Sequence, residues 1–134
     1  MAELRYLGLA DMLALHQAIM EKFGVAPPHL RDEGALESAI MRPQMAAHYS
    51  DADLIRQAAL LAVGVSQAQA FVDGNKRLAF GACDVFLRLN GLLFIGEPLA
   101  LAKELEAVSL RTGSMQEATD RLETWLRANV VPKS

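Results

Sequence analysis

Residues 69–77 read Gln69-Ala70-Phe71-Val72-Asp73-Gly74-Asn75-Lys76-Arg77. This stretch, the 69–77 turn, is a polar, glycine-containing break between two long apolar segments, residues 51–68 and residues 78–90. Both segments are apolar around most of a helical circumference, which is typical of helices buried in the middle of a domain. The sequence therefore predicts two central helices joined by the 69–77 turn.

The 69–77 turn carries more charge than a connection between two buried helices needs. Asp73 or Gly74 is the expected N-cap of the second helix. Asn75, Lys76 and Arg77 then fall in its first turn, where cations face the positive end of the helix dipole at a cost of up to about 1 kcal/mol each. Free N–H groups, a glycine and two cations together are typical of an anion site, with phosphate as the first candidate ligand. The alternative is that Asp73 only caps the helix while both cations point into water, which leaves the paired cations unexplained.

Length and composition favour a single helical domain. The chain has 134 residues, which fits one domain, 1–134. Its hydrophobic fraction is 52% but its aromatic fraction is only 6%, so aliphatic side chains dominate and favour close-packed helices over a sheet sandwich. Apolar residues recur at helical spacing, which predicts an all-α domain of about six helices with at most a short β element.

Charge and cysteine content argue against several classes of function. The net charge is −3 and no basic patch stands out, so nucleic acid is not expected as a direct partner. The single Cys83 precludes an internal disulfide and is expected in the core rather than as a catalytic thiol, so a cytoplasmic location is the default expectation. No apolar run is long enough to span a bilayer, so no membrane partner is expected.

The segment before the first central helix has clear local signals. Asp32 is the expected N-cap of a short helix that Pro43 closes. Residues 44–49 are then a predicted break, in which His48 is expected as an exposed loop histidine rather than a target-docking residue. Residues 50–53 resemble a capping box that begins the next helix.

Further local signals lie near the two chain ends. His16 falls on the apolar face of the first predicted helix, where a core histidine bonded to a neighbour is favoured over a catalytic one. The apolar residues 92–95 are expected to pair with the extended segment 3–8. Ser114 and Glu117 have the spacing of a capping box for the last helix.

The 69–77 turn resembles the active-site motif of the Fic/Doc family. Asp-Gly-Asn-Lys-Arg with a phenylalanine two residues earlier follows the family pattern, and lysine after asparagine is similar to the Doc (death-on-curing) toxin branch. The resemblance implies the all-helical Fic/Doc fold, with Phe71 as the residue that anchors the motif in the core. Other similar stretches follow in the same order: Leu13-Ala14-Leu15-His16, residues 30–39, Arg42-Pro43-Gln44 and residues 86–91.

The resemblance also implies an activity, which is transfer of part of ATP to a hydroxyl of another protein. Doc-type members transfer a phosphate, and one member of that branch acts on elongation factor Tu, a translation factor, whereas most other Fic members transfer AMP. By the same resemblance, Asp73 orients Mg²⁺ or the catalytic side chain, and Gly74 and Asn75 line the phosphate site. Lys76 and Arg77 hold phosphate oxygens. The branch further implies a cognate antitoxin whose helical tail fills the active-site groove.

Gln69 occupies the position where the family carries its catalytic histidine. An amide has no proton affinity near pH 7, and loss of a general base costs on the order of 10²–10⁴-fold in rate. The chain is therefore expected to be inactive or nearly so. Gln69 is either a substitution that disarms a toxic enzyme or the mark of a natural member that binds nucleotide or partner without turnover. AMP transfer and a non-catalytic binding role remain the alternatives to a phosphate-transferring toxin.

Overall fold

The structure is a computed structural model that describes residues 3–24, 29–110 and 114–133. These residues form six helices and two short antiparallel strands, so the all-α class with a short β element is confirmed. The elements in chain order are α1 (Leu9–Lys22), α2 (Glu33–Ser50), α3 (Leu54–Ala68), α4 (Asn75–Leu89), β1 (Leu92–Phe94), α5 (Pro98–Leu110), α6 (Met115–Arg127) and β2 (Val130–Pro132).

Helix α3 is the centre of the core. Every residue from position 57 to position 66 is buried, and α3 packs against α2, α4, α5 and α6. Because most of these residues are alanine, valine, leucine or glycine, neighbouring helices approach α3 on all sides. Helix α4 lies beside α3 and also contacts α1, so the 69–77 turn connects two helices that the rest of the domain holds in place.

Helix α2 continues through Pro43, so the prediction that this proline ends the helix is wrong. Pro43 is buried and α2 extends to Ser50. A proline removes one N–H donor and crowds the carbonyl four residues earlier. The buried face of α2, which includes Leu36, Ala39 and Ile40, packs on α3, and this contact outweighs the local penalty.

The continuation of α2 corrects two further expectations. Residues 44–49 are helical instead of a break, and His48 is exposed on α2 rather than in a loop. Helix α3 has Asp53 as its N-cap, with the Asp53 carboxylate accepting the N–H of Arg56 at 2.9 Å. The predicted capping box at 50–53 is wrong because its first residue is the last residue of α2.

Strand β1 pairs with β2 and not with the N-terminal segment. The register joins Leu92 to Pro132 and Phe94 to Val130. The N-terminal segment is held instead by the amide of Asn90, which accepts the N–H of Arg5 at 2.8 Å and donates to the Arg5 carbonyl at 2.9 Å. These two side-chain bonds occupy the backbone groups that a strand pairing would have used.

Helix α6 packs against α3. Its N-terminus has the predicted capping box, in which the Ser114 hydroxyl accepts the N–H of Glu117 at 3.1 Å. Charged pairs then link the two helices, with Arg56 bonded to Glu123 at 2.9 Å and Arg127 bonded to Asp53 at 2.8 Å. Among the described residues, the helices are all too short or too polar to span a bilayer.

Candidate functional site

The 69–77 turn is fastened to the start of α2 by backbone hydrogen bonds. The carbonyl of Ala70 accepts the N–H groups of Arg31 at 2.6 Å and Asp32 at 3.0 Å. Phe71 forms an isolated antiparallel bridge with Leu30. The chain therefore leaves α3 as a short extended segment with paired backbone groups, and not as a free loop.

The Asn75 side chain closes the turn. Its Oδ1 accepts the N–H of Phe71 at 3.1 Å, and its Nδ2 donates to the Phe71 carbonyl at 2.8 Å. Asn75 is 7% exposed, so this amide is committed to the backbone. The structure thus places the Asn75 side chain under the turn, while its backbone N–H belongs to the first turn of α4.

Phe71 and His16 form the buried floor of the turn. Phe71 is 3% exposed and stacks on the imidazole of His16, with 3.6 Å between the ring centroids and 14° between the planes. His16 Nε2 lies 2.9 Å from the carbonyl oxygen of Asp73. The expectation of a core histidine bonded to a neighbour is confirmed. Its partner in the turn could not be identified from the sequence, because the two residues are 57 positions apart.

Gly74 is the N-cap of α4, which decides between the two predicted caps. Its φ of 84° lies in the left-handed region, and no side chain caps the helix. The Asp73 carboxylate accepts the N–H of Gly74 at 2.7 Å and reaches no donor further into α4 among the described contacts. A Cβ on Gly74 would lie 2.6 Å from Met20 Sδ and 3.0 Å from His16 Nε2, so any other residue would be strained at this φ and would displace Met20.

Lys76 and Arg77 are exposed in the first turn of α4, which carries no acidic residue. The Arg77 guanidinium carbon lies 4.1 Å from the centre of the Phe23 ring, a cation–π contact that holds this side chain near the end of α1. The first N–H groups of a helix have no carbonyl partner within the helix. Uncapped N–H groups and two cations are features that favour an anion at the start of α4.

A groove of about 650 Å³ begins at these cations and runs between α1, α4 and α5. Its walls are largely apolar, with Lys22, Lys76 and Arg77 among the charged residues. The apolar lining residues include Leu15, Ile19, Phe23, Phe80, Val85, Ala102 and Leu105. A ligand with an anionic end and an apolar body could contact the cations and the groove at once.

Gln69 ends α3 in the left-handed conformation, with φ 50° and ψ 41°. Its Nε2 donates to the Ser66 carbonyl at 2.8 Å, and its Oε1 is 3.5 Å from Asn75 Nδ2, a marginal contact. The Gln69 carbonyl accepts a guanidinium N–H of Arg31 at 2.8 Å. The amide therefore folds back onto the end of α3, and it cannot accept a proton from a substrate hydroxyl.

Asp73 is the one carboxylate within the 69–77 turn, and it is exposed. Among the described residues, no three His, Cys, Asp or Glu side chains lie together in a cluster able to hold a metal ion. Mg²⁺ commonly uses one or two carboxylates together with substrate phosphates and water. A single exposed Asp73 does not make a metal site built from protein ligands alone, but it is compatible with an ion that a phosphate would also bind.

The sequence of this chain matches a known protein family and two characterised relatives. The model of the Fic/DOC family matches residues 6–87, which include the whole 69–77 turn. The chain is 31% identical over 96 residues to the protein kinase doc of Escherichia phage P1, covering 71% of this chain and 75% of the relative. It is 42% identical over 65 residues to the toxin Doc of Mycolicibacterium smegmatis, covering 47% of this chain and 50% of the relative.

Proposed function

Because this chain belongs to the Fic/Doc family and to its Doc branch, we propose that it binds ATP with Mg²⁺ at the 69–77 turn. In this proposal it is built as a protein phosphotransferase of the Doc toxin type. Gln69 leaves it inactive or nearly so.

The observation that carries the proposal is the start of α4. Gly74 starts the helix in the left-handed conformation, no side chain caps the helix, and Lys76 and Arg77 are exposed in its first turn beside the free N–H groups. Phosphoryl transfer depends mainly on positioning and on neutralising phosphate charge. In the proposed complex, Lys76 and Arg77 hold phosphate oxygens and Asp73 carries the Mg²⁺, which screens the phosphate charge.

Gln69 separates binding from turnover in this proposal. A histidine at that position would take the proton from the target hydroxyl, whereas an amide has no such capacity. The left-handed backbone at position 69 is one that histidine adopts more readily than most non-glycine residues, so the backbone suits a histidine. A non-catalytic member that only binds nucleotide is the second candidate function, and the Gln69 amide is the observation that favours it.

The proposed partners follow from the family and the groove. We assign the apolar groove between α1, α4 and α5 to the helical tail of a cognate antitoxin, because amphipathic helices bind grooves of this kind through apolar side chains. The proposed target is a translation factor of the elongation factor Tu type, with a hydroxyl as acceptor. AMP transfer to such a hydroxyl is the alternative reaction.

Calorimetric titration with Mg·ATP tests the binding part of the proposal. Lys76→Ala and Arg77→Ala should each weaken binding about tenfold or more, because a charge-assisted hydrogen bond contributes about 1.5–3 kcal/mol. Lys103→Ala is the matched control, since Lys103 is an exposed lysine of α5 outside the groove lining. An unmodified chain that does not bind Mg·ATP, or an equal loss in the Lys103 variant, would contradict the proposal.

A further inference from the structure

We infer that His16 is a positioning residue of the phosphate site, acting through the peptide unit between Asp73 and Gly74. This inference rests on the proposed function, since it concerns how the proposed ATP site is held in shape. His16 itself is buried, with 2% of its surface exposed, and it contacts the turn by stacking on Phe71.

The peptide unit between Asp73 and Gly74 is held at both ends. Its carbonyl oxygen lies 2.9 Å from His16 Nε2, and its N–H donates to the Asp73 carboxylate at 2.7 Å. A carbonyl oxygen can only accept, so Nε2 must carry a hydrogen. Because a trans peptide is planar with its C=O and N–H pointing in opposite directions, the two bonds together fix the plane of this unit.

The orientation of this peptide plane affects the position of the groups proposed to bind the ligand. It sets φ of Gly74, which is 84°, and thereby the direction in which α4 starts and its first N–H groups point. It also sets the Asp73 carboxylate, which is tied to the N–H of the same peptide unit. His16 therefore links the helix N-terminus and the carboxylate, the two parts proposed to meet phosphate and Mg²⁺.

The stack on Phe71 offers a competing role, in which the imidazole only fills space. Two substitutions separate the roles. His16→Phe keeps an aromatic ring against Phe71 and removes the donor. His16→Gln removes the ring and keeps an amide N–H at a similar reach along the side chain.

The test uses the full chain and three readouts: Mg·ATP affinity by calorimetry, exchange of the Gly74 amide proton by NMR, and folding by circular dichroism. We expect His16→Phe to remain folded, to lose about tenfold in Mg·ATP affinity and to exchange the Gly74 amide faster, because misplaced site groups lose their ligand. His16→Gln should stay within about threefold of the unmodified chain in affinity. Unchanged affinity in His16→Phe, or equal loss in both variants, overturns the inference.

The outcomes distinguish this inference from the proposed function. If Lys76→Ala weakens Mg·ATP binding but His16→Phe does not, the binding site stands and the positioning role fails. If the unmodified chain binds no Mg·ATP, the proposed function fails, and Gly74 exchange alone then decides whether His16 holds the turn. Should His16→Phe not fold, the unmodified chain still decides, because an NMR spectrum without a hydrogen on His16 Nε2 overturns the inference.

Discussion

The effect of a side chain at position 74 can be measured against another glycine whose φ is nearly the same. Gly74 has φ +84° and Gly91 has φ +83°, but the space around them differs. A Cβ on Gly74 would lie 2.6 Å from Met20 Sδ, and Met20 is fully buried. A Cβ on Gly91 would meet nothing within 4 Å. Gly74→Ala and Gly91→Ala therefore share the backbone strain, and only Gly74→Ala adds a steric clash.

The magnitudes follow from these two contributions. A non-glycine residue in the left-handed region loses about 1–2 kcal/mol, part of which is offset by lower entropy of the unfolded chain. Overpacking a buried site adds about 1–3 kcal/mol. We expect Gly91→Ala to lose about 1 kcal/mol and Gly74→Ala about 2–4 kcal/mol in the free energy of unfolding.

Urea denaturation followed by circular dichroism measures both losses. With a slope of about 2 kcal/mol per molar urea, the urea midpoint of Gly74→Ala should fall about 1 M below that of Gly91→Ala. The close packing of Met20 and His16 on Gly74 would be refuted if the two variants lost the same stability within about 0.5 kcal/mol. A smaller loss in Gly74→Ala than in Gly91→Ala would refute it more strongly.

Two further predictions concern titrating groups away from the turn. Burial, with a smaller effect of Asp84, raises the pKa of the Cys83 thiol to about 12. Iodoacetamide near neutral pH should therefore label Cys83 only after the chain is unfolded, which mass spectrometry measures. Rapid labelling of the folded chain would contradict this prediction. Desolvation raises the pKa of Asp53, but the N–H of Arg56 and the guanidinium of Arg127 together outweigh it and lower the pKa. A carboxylate whose pKa is lower in the folded chain than in the unfolded chain adds stability above the unfolded pKa, and this stability is lost as the pH falls. Acidification from about pH 5 to about pH 2 should therefore cost the unmodified chain more stability than it costs Arg127→Gln. Equal losses of stability in urea titrations of the two proteins would contradict the pairing of Asp53 with Arg127.

The helices of the fold could be predicted where local signals decide the structure. Asp32 and Ser114 cap their helices as predicted, because an N-cap depends on residues only two or three positions away. Pro43 is the counterexample, since its local penalty is outweighed by the packing of α2 on α3. The strand partner of residues 92–95 could not be predicted from local sequence either. Helices α5 and α6 lie between β1 and β2 in the chain, so the two strands meet only after both helices have packed.

The position of the charged turn residues at the start of a helix could be predicted from the sequence, but the contacts that hold the turn could not. The cations Lys76 and Arg77 are exposed at the start of α4, where the turn composition predicted them. The use of the Asn75 amide to close the turn on Phe71 was not predicted. Nor was the contact of His16 with Asp73, because it requires α1 to lie against α4.

The claim that Gln69 prevents phosphate transfer is tested most directly by restoring the family histidine and following the transfer of label from ATP. Gln69→His, Gln69→Asn and the unmodified chain would be incubated with Mg·ATP labelled in the γ- or the α-phosphate, together with purified elongation factor Tu. Gln69→Asn is the matched control because it changes the side chain but restores no base. We expect Gln69→His to transfer the γ-label at least about 10²-fold faster than the other two, in line with the contribution of a general base. Transfer of the α-label would instead assign AMP transfer, and equal rates in all three proteins, or no label in Gln69→His, would contradict the account.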